Sequence, residues 1–345
     1  MNRKKLNNII KVTIMTIAMS GISLFAGSFD ASASQNLERE FTEIIDKYKN
    51  EKVVVEDGIS LRRGESLNLS QYKGWELSNE NTLEIDESGI AKVKDSGTVF
   101  LSNKIGDSVY VVEVYVPSVV KENYNLKNTV VDRNYYKVFL DPGHGGADNG
   151  AAGNGLLEDE LTLQISLKLR DKLKEKGIEV KMSRESDVYV GLGERAEIAN
   201  AYGADLFLSP HINSFTSSSA KGIETYYHTD KSTHRPLSSN IQENAIKETG
   251  AANRGVKTAN FAVLRESSMP SALFESGFIS NPEEAAKLRT SEYQNKLATA
   301  LADGVERYLK DNIKLNGSEV QPPEEPTPPT TNPSETKTGT ITASS

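Results

Sequence analysis

From Tyr136 onward, short apolar runs alternate with longer amphipathic ones, and this alternation restricts the possible folds more than any other feature of the chain. KVFLD, beginning at Lys137, has the composition of a buried strand. LTLQISLKLRDKLKEKG then places Leu161, Ile165, Leu169 and Leu173 on one helical face and stops at Gly177. IEVKMSR alternates as a strand, ERAEIANAYG is a second helix and ADLFLS a third strand. Strands alternating with helices imply an α/β domain whose sheet is mostly parallel and flanked by helices.

What precedes Tyr136 has a different character. Residues 35–50 carry Leu37, Phe41, Ile44, Ile45 and Tyr48 at helical spacing, so a helical segment is expected over 34–52. ISLRRGESLNL, LEIDESGIAKV, GTVFLSN and SVYVVEVYV are short alternating runs separated by Gly, Asp, Asn and Ser. They predict a small all-β sandwich domain over 53–117, followed by a linker over 118–135. That segment resembles the bacterial immunoglobulin-like domains (group 2) of surface proteins. It contains no candidate catalyst and reads as a spacer or targeting unit. After Asn316 the chain is rich in Pro and Thr with almost nothing to bury, so a disordered tail is expected over 313–345.

The first 33 residues have the order of a secretory signal peptide. Arg3, Lys4, Lys5 and Lys11 precede an apolar stretch from Val12 to Ala26, and Ala31-Ser32-Ala33 offers a cleavage site. A retained anchor is the weaker reading, because the stretch is short and broken by Ser20, Gly21 and Ser23. The expectation is a secreted, extracellular or wall-associated protein with no stable membrane span once cleaved, acting as a monomer. Four basic residues and Asp30 would leave with the leader, moving the formal charge from −8 to −11. Such acidity gives no bulk attraction to nucleic acid, and no nucleic-acid partner is expected. With no cysteine in the chain, any metal must be held by His, Asp or Glu.

Four residues of that kind stand at element ends. His144 follows the strand KVFLD in the turn DPGHGG, and His211 follows ADLFLS with only Pro210 between. Glu158 opens the helix after the first strand, and Glu275 closes the strand SALFE. Ligands of open α/β sheets bind beyond the carboxyl ends of the strands, so these side chains are expected to be neighbours. Two histidines and a glutamate make a common zinc set that leaves a position for water. Each residue also has a plain structural reading: a turn histidine, a hydrogen-bonded strand-end histidine, an acidic helix N-terminus, a loop brace. His228 and His234, in a polar stretch, are expected at the surface. Pro210 removes a ladder donor and is expected to stop its strand at Ser209.

The stretches VFLDPGHGGADNGAAGNGLLEDELTL, MSRESDVYVGLGERAEIAN, ADLFLSPHINS, GIETYY and NRGVKTANFAVLRESSMPSALFESGFISNPEEAAKL resemble the zinc-dependent N-acetylmuramoyl-L-alanine amidases of the amidase_3 family. The resemblance implies a zinc amidase catalytic domain over 136–312, with His144, Glu158 and His211 as Zn2+ ligands and Glu275 as the catalytic acid/base. It also implies the substrate, the amide between N-acetylmuramic acid and L-alanine in peptidoglycan, hydrolysed by zinc-activated water. A catalytically inactive wall-binding protein on the same fold and a zinc peptidase are the alternatives. Some family members carry a plugging helix between the second histidine and the glutamate. Here only 63 residues separate His211 from Glu275, so an open cleft is expected.

Overall fold

The computed structural model describes residues 12–13, 31–118 and 129–317. Most of the expected leader, most of the expected linker and the tail beyond 317 lie outside the described residues. Among the described residues, no helix is long and apolar enough to cross a membrane.

Helix α1 (Ala31–Lys47) leads into strand β1 (Lys52–Ser60). Then follow β2 (Ser66–Asn68), β3 (Glu76–Leu77), β4 (Leu83–Ile85), β5 (Ile90–Val93), β6 (Gly97–Ile105) and β7 (Ser108–Val116). These form two sheets: β1-β7-β6-β3, and β2-β5-β4 with Val12–Thr13 along the free edge of β2. Side chains alternate across a strand, and β7 uses both of its faces. Val112, Val114 and Val116 join Leu67, Leu83, Ala91 and Leu101 in the core between the sheets. Val109 and Val111 face the other way, packing with Phe41 of α1, Phe100 and Tyr189. That is why SVYVVEVYV lacks a polar face.

After β8 (Thr129–Val131), the α/β part runs through β9 (Lys137–Leu140), β10 (Ala152–Gly153), β11 (Leu156–Leu157), α2 (Glu158–Glu175), β12 (Glu179–Met182), α3 (Leu192–Tyr202) and β13 (Leu206–Asn213). It continues with β14 (Ile223–His228), α4 (Arg235–Thr249), β15 (Asn253–Ala259), α5 (Ala262–Glu266) and β16 (Ser271–Phe278). It ends with α6 (Pro282–Leu288), α7 (Ser291–Asn312) and β17 (Ile313–Leu315). The main sheet has the order β12-β9-β13-β16-β14-β15. Every neighbouring pair is parallel except β16 with β14. Alternation along the strands feeds two cores. Val138, Leu140, Leu206, Leu208 and Phe274 pack under α2, α4 and α7. Phe139, Phe207 and Leu273 pack with Ile198 and Ala199 of α3 and with Val263 and Leu264 of α5.

Several boundaries differ from the sequence reading. Thr129–Val131, read as linker, pairs in parallel with Ile313–Leu315, read as tail, so the α/β unit extends past both expected limits. Strand β13 does not stop at Ser209: it runs on to Asn213, with Pro210 opposite Phe274. In an extended strand, the N and C=O of one residue point to the same edge. The Pro210 carbonyl accepts from Gly143 N at 3.1 Å. Its missing N–H therefore faces the glycine loop, and the ladder to β16 loses nothing. Glu275 likewise lies inside β16 rather than at its end.

Candidate active site

The loop from Asp141 to Gly150 follows β9 and presents His144. Its backbone there is left-handed, with φ of 62° at a non-glycine residue, a conformation that persists only when its surroundings hold it. Two buried arginines do so. Arg195 of α3 donates to the carbonyls of Pro142, His144 and Val190 and to Asp141 Oδ1, at 2.7–2.9 Å. Arg184 donates to the carbonyls of Gly143 and Asp159 at 2.9 and 2.8 Å, tying the loop to the first turn of α2.

Two glycines of this loop make room for the histidine rings. A Cβ at Gly143 would lie 2.4 Å from the His211 ring, and one at Gly150 would lie 2.6 Å from His144 Cδ2. The imidazoles occupy the space that side chains would fill.

The structure brings together three of the four expected residues directly. His144 Nε2 lies 3.4 Å from Glu158 Oε1, and His211 Nδ1 lies 3.0 Å from the same oxygen. Candidate ligand atoms of His144, Glu158 and His211 all fall within 4.8 Å of one another. Glu158 is buried as the first residue of α2, where the helix dipole favours a carboxylate. It accepts from Ile212 N at 2.9 Å and Ala151 N at 2.8 Å, so its orientation is set by backbone. Glu275 stands beside this group: it is the register partner of His211 across β13 and β16 and lines the same cavity.

The electrostatics favour a cation here. Burial disfavours a charged His144, but the carboxylates of Asp148 and Glu158 outweigh it and raise the His144 pKa well above its ordinary value. Burial likewise opposes an ionised Glu158, and His144 and His211 overcome it, holding the carboxyl well below the usual range. The field that retains a proton on His144 is the field a divalent ion would satisfy. Two imidazole nitrogens and a carboxylate oxygen are also donors that zinc accepts.

Sequence reasoning missed Asp148, whose Oδ2 lies 2.8 Å from His144 Nδ1. A carboxylate at that nitrogen holds its proton, so Nε2 is the nitrogen left to face Glu158. The signal was available as an acidic residue four positions after His144 in a glycine-rich turn. Arg184 and Arg195 gave no local signal, since their acceptors come from distant segments.

The histidines expected at the surface are buried. His228 Nε2 lies 2.9 Å from Asn260 Oδ1. His234 is fully buried, accepts from Ser271 N at 3.2 Å, and has its pKa pushed down to about 3 by burial and by the neighbouring Lys231. Lys231 is drawn inward with them because the carbonyls of Leu264, Arg265 and Ser267 accept its three protons at 2.6–2.9 Å. This polar stretch is an internal brace for α5.

The N-terminal part, which holds no candidate catalyst, borders the site. A cavity of about 530 Å³ is lined by His144, Glu158, His211 and Glu275 and also by Phe41, Val53, Val55 and Phe100. Phe41 stacks on Tyr189 with ring centroids 4.9 Å apart. Glu113 of β7, almost fully buried, accepts from Tyr189 OH at 2.6 Å and Leu192 N at 2.8 Å. Tyr115 OH donates to Glu197 at 2.5 Å and Ser60 Oγ to Glu266 at 2.7 Å.

Comparison with known proteins identifies similar chains. Residues 138–307 match the family described as Amidase_3, N-acetylmuramoyl-L-alanine amidase. The sporulation-specific N-acetylmuramoyl-L-alanine amidase of Bacillus subtilis (strain 168) is 47% identical over 185 residues, covering 53% of this chain and 71% of that protein. The amidase LytC of the same organism is 43% identical over 187 residues, 54% of this chain but only 37% of LytC. The crystal structure of an N-acetylmuramoyl-L-alanine amidase from Clostridium difficile 630 superposes with a TM-score of 0.51 at 40% identity, covering 51% of this chain and 98% of that one. The family match begins after residues 31–118 and leaves them out.

Proposed function

Since the chain belongs to the N-acetylmuramoyl-L-alanine amidase family, we propose that it is a secreted cell-wall hydrolase that uses zinc to cut the amide between N-acetylmuramic acid and L-alanine in peptidoglycan. The observation that carries this reading is the convergence of His144, Glu158 and His211 on one point with Glu275 beside them. His144 Nε2, a Glu158 carboxylate oxygen and His211 Nδ1 would hold the zinc ion. When bound, zinc supplies Lewis acidity to the scissile carbonyl and lowers the pKa of water.

The chain's own residues supply the proton traffic and the positioning. Glu275 takes a proton from the attacking water as its oxygen bonds to the lactyl carbonyl carbon. It then delivers that proton to the departing nitrogen as the C–N bond breaks, leaving a carboxylic acid on the sugar and a free amine on L-alanine. Asp148 keeps the His144 Nδ1 proton in place, and Arg195 and Arg184 hold the loop that carries His144. Residues 53–117 form an immunoglobulin-like module in this reading, and residues 1–33 direct export. The apolar lining contributed by Phe41 and Phe100 supports a role for the N-terminal part beyond spacing.

Digestion of purified peptidoglycan by the metal-loaded full chain tests the proposal. New L-alanine amino termini should appear by mass spectrometry, disappear with chelator and return with zinc. Release of reducing sugars, or of peptides cut elsewhere in the stem, would overturn it.

A further inference from the structure

The row of side chains that carries His211 and Glu275 extends one strand further. Glu224 on β14 is the register partner of Glu275, and directly paired residues on adjacent strands project from the same face. Glu224 is 2% exposed, where an uncompensated carboxylate would be costly. Four donors meet it: Asn213 Nδ2 at 2.8 Å, Tyr226 OH at 2.7 Å, Arg254 Nε at 2.6 Å and Lys257 Nζ. One cation would neutralise Glu224, so the second is surplus to that task. Arg254 and Lys257 together carry one charge more than Glu224, and Glu275 is the next carboxylate along the row.

The two cations also have the right placement for a ligand. Both lie on β15, the last strand of the sheet, with side chains 36% and 37% exposed. The Arg254 guanidinium lies over the Phe278 ring at 4.7 Å, and only its Nε and Nη1 are turned to Glu224 and to the Lys221 carbonyl. Asn213 and Tyr226, each bonded to Glu224, line the cavity that holds Glu275. The cluster thus sits one hydrogen bond from the cleft, on the far side of Glu275 from His211.

We propose that Arg254 and Lys257 form an anion subsite at the rim of the cleft that receives a free carboxylate of the substrate's peptide, on the side of the scissile amide that departs as the amine. This rests on the amidase reading. In peptidoglycan the residue after L-alanine is an acidic amino acid joined through its side chain, so its α-carboxylate is free unless amidated. A planar guanidinium and an ammonium point charge together suit one carboxylate. Glu224 serves as a positioning residue, holding the two cations side by side.

The test uses the full-length zinc enzyme and two synthetic muropeptides that differ only in this group, carboxylate in one and carboxamide in the other. The wild type should show KM about tenfold lower for the carboxylate, a difference of ~1.4 kcal/mol, with kcat within about twofold. Raising the salt concentration should narrow the gap. Lys257→Met and Arg254→Gln should raise KM for the carboxylate several-fold more than for the carboxamide and so close the gap between the two substrates, with circular dichroism and zinc content reporting that the variants are folded. Lys257→Arg should keep the preference. Equal KM for the two substrates in the wild type overturns the subsite without any variant, as does a variant that raises both KM values alike. Failure of the wild type to cleave either muropeptide overturns the amidase reading instead, and the subsite with it.

Discussion

Replacing Glu113 with glutamine should change how stability depends on pH. Glu113 reaches out of β7 into the α/β unit, with Tyr189 OH and Leu192 N as its donors. Burial pushes its carboxyl up to about 7 from an ordinary 4.5, against the pull of those two bonds and of Arg195, with Asp148 adding to the rise. A carboxyl whose folded pKa is raised binds its proton more tightly in the folded state. Its contribution is fully present below about pH 4.5 and is lost as the pH rises through about 7. At 1.36 kcal/mol per pKa unit, the loss across that window is about 3 kcal/mol. Glu113→Gln keeps the shape and an acceptor but does not titrate. Urea unfolding of both proteins at pH 4.5, 6, 7 and 8 should give curves whose midpoints coincide at the acid end and separate as the pH rises, with the variant the more stable at pH 8. Other groups titrate in the same range, Asp159 among them with a pKa of about 6, but they are common to both proteins and cancel in the difference. Parallel stability profiles from pH 4.5 to 8 would refute the reasoning, because they would mean that Glu113 stays ionised in the folded protein.

Other expectations concern the site. His211→Ala should lose stoichiometric zinc along with activity, since two remaining ligands rarely hold the ion; full zinc content by atomic absorption would remove His211 from the ligand set. Glu275→Gln should keep zinc and fold while turnover drops by about two to four orders of magnitude, measured as released L-alanine amino termini; near-normal turnover with zinc in place would end its catalytic role. Gly143→Ala forces a methyl group into the His211 ring and should weaken zinc binding about 10–100-fold, the usual cost of misorienting a ligand. Zinc affinity equal to wild type would show that the loop and ring relax apart.

The alternation of strand and helix from Lys137 to Ser209 determined the α/β unit, because 2.0 and 3.6 periodicities are local properties that need only neighbouring residues. The glycine-cleared turn around His144, the acidic start of α2 and the histidine after ADLFLS were legible for the same reason. A parallel sheet then puts such positions at one edge whatever the details of packing. What only tertiary structure decided are the matters in which distant segments meet. Pro210 can continue β13 because its lost donor happens to face the glycine loop rather than β16. His228, His234 and Lys231 are internal because carbonyls and polar groups from distant residues meet them there, whereas by composition alone they read as solvated. The N-terminal segment presented itself as a separate unit, since none of its residues is a catalyst. Yet one carboxylate in the otherwise apolar run SVYVVEVYV, and valines on its second face, are explained once β7 is seen to bury that face against α1, Tyr189 and Leu192. Burial of a side chain depends on what comes to cover it, and a linear pattern records only which surfaces need covering.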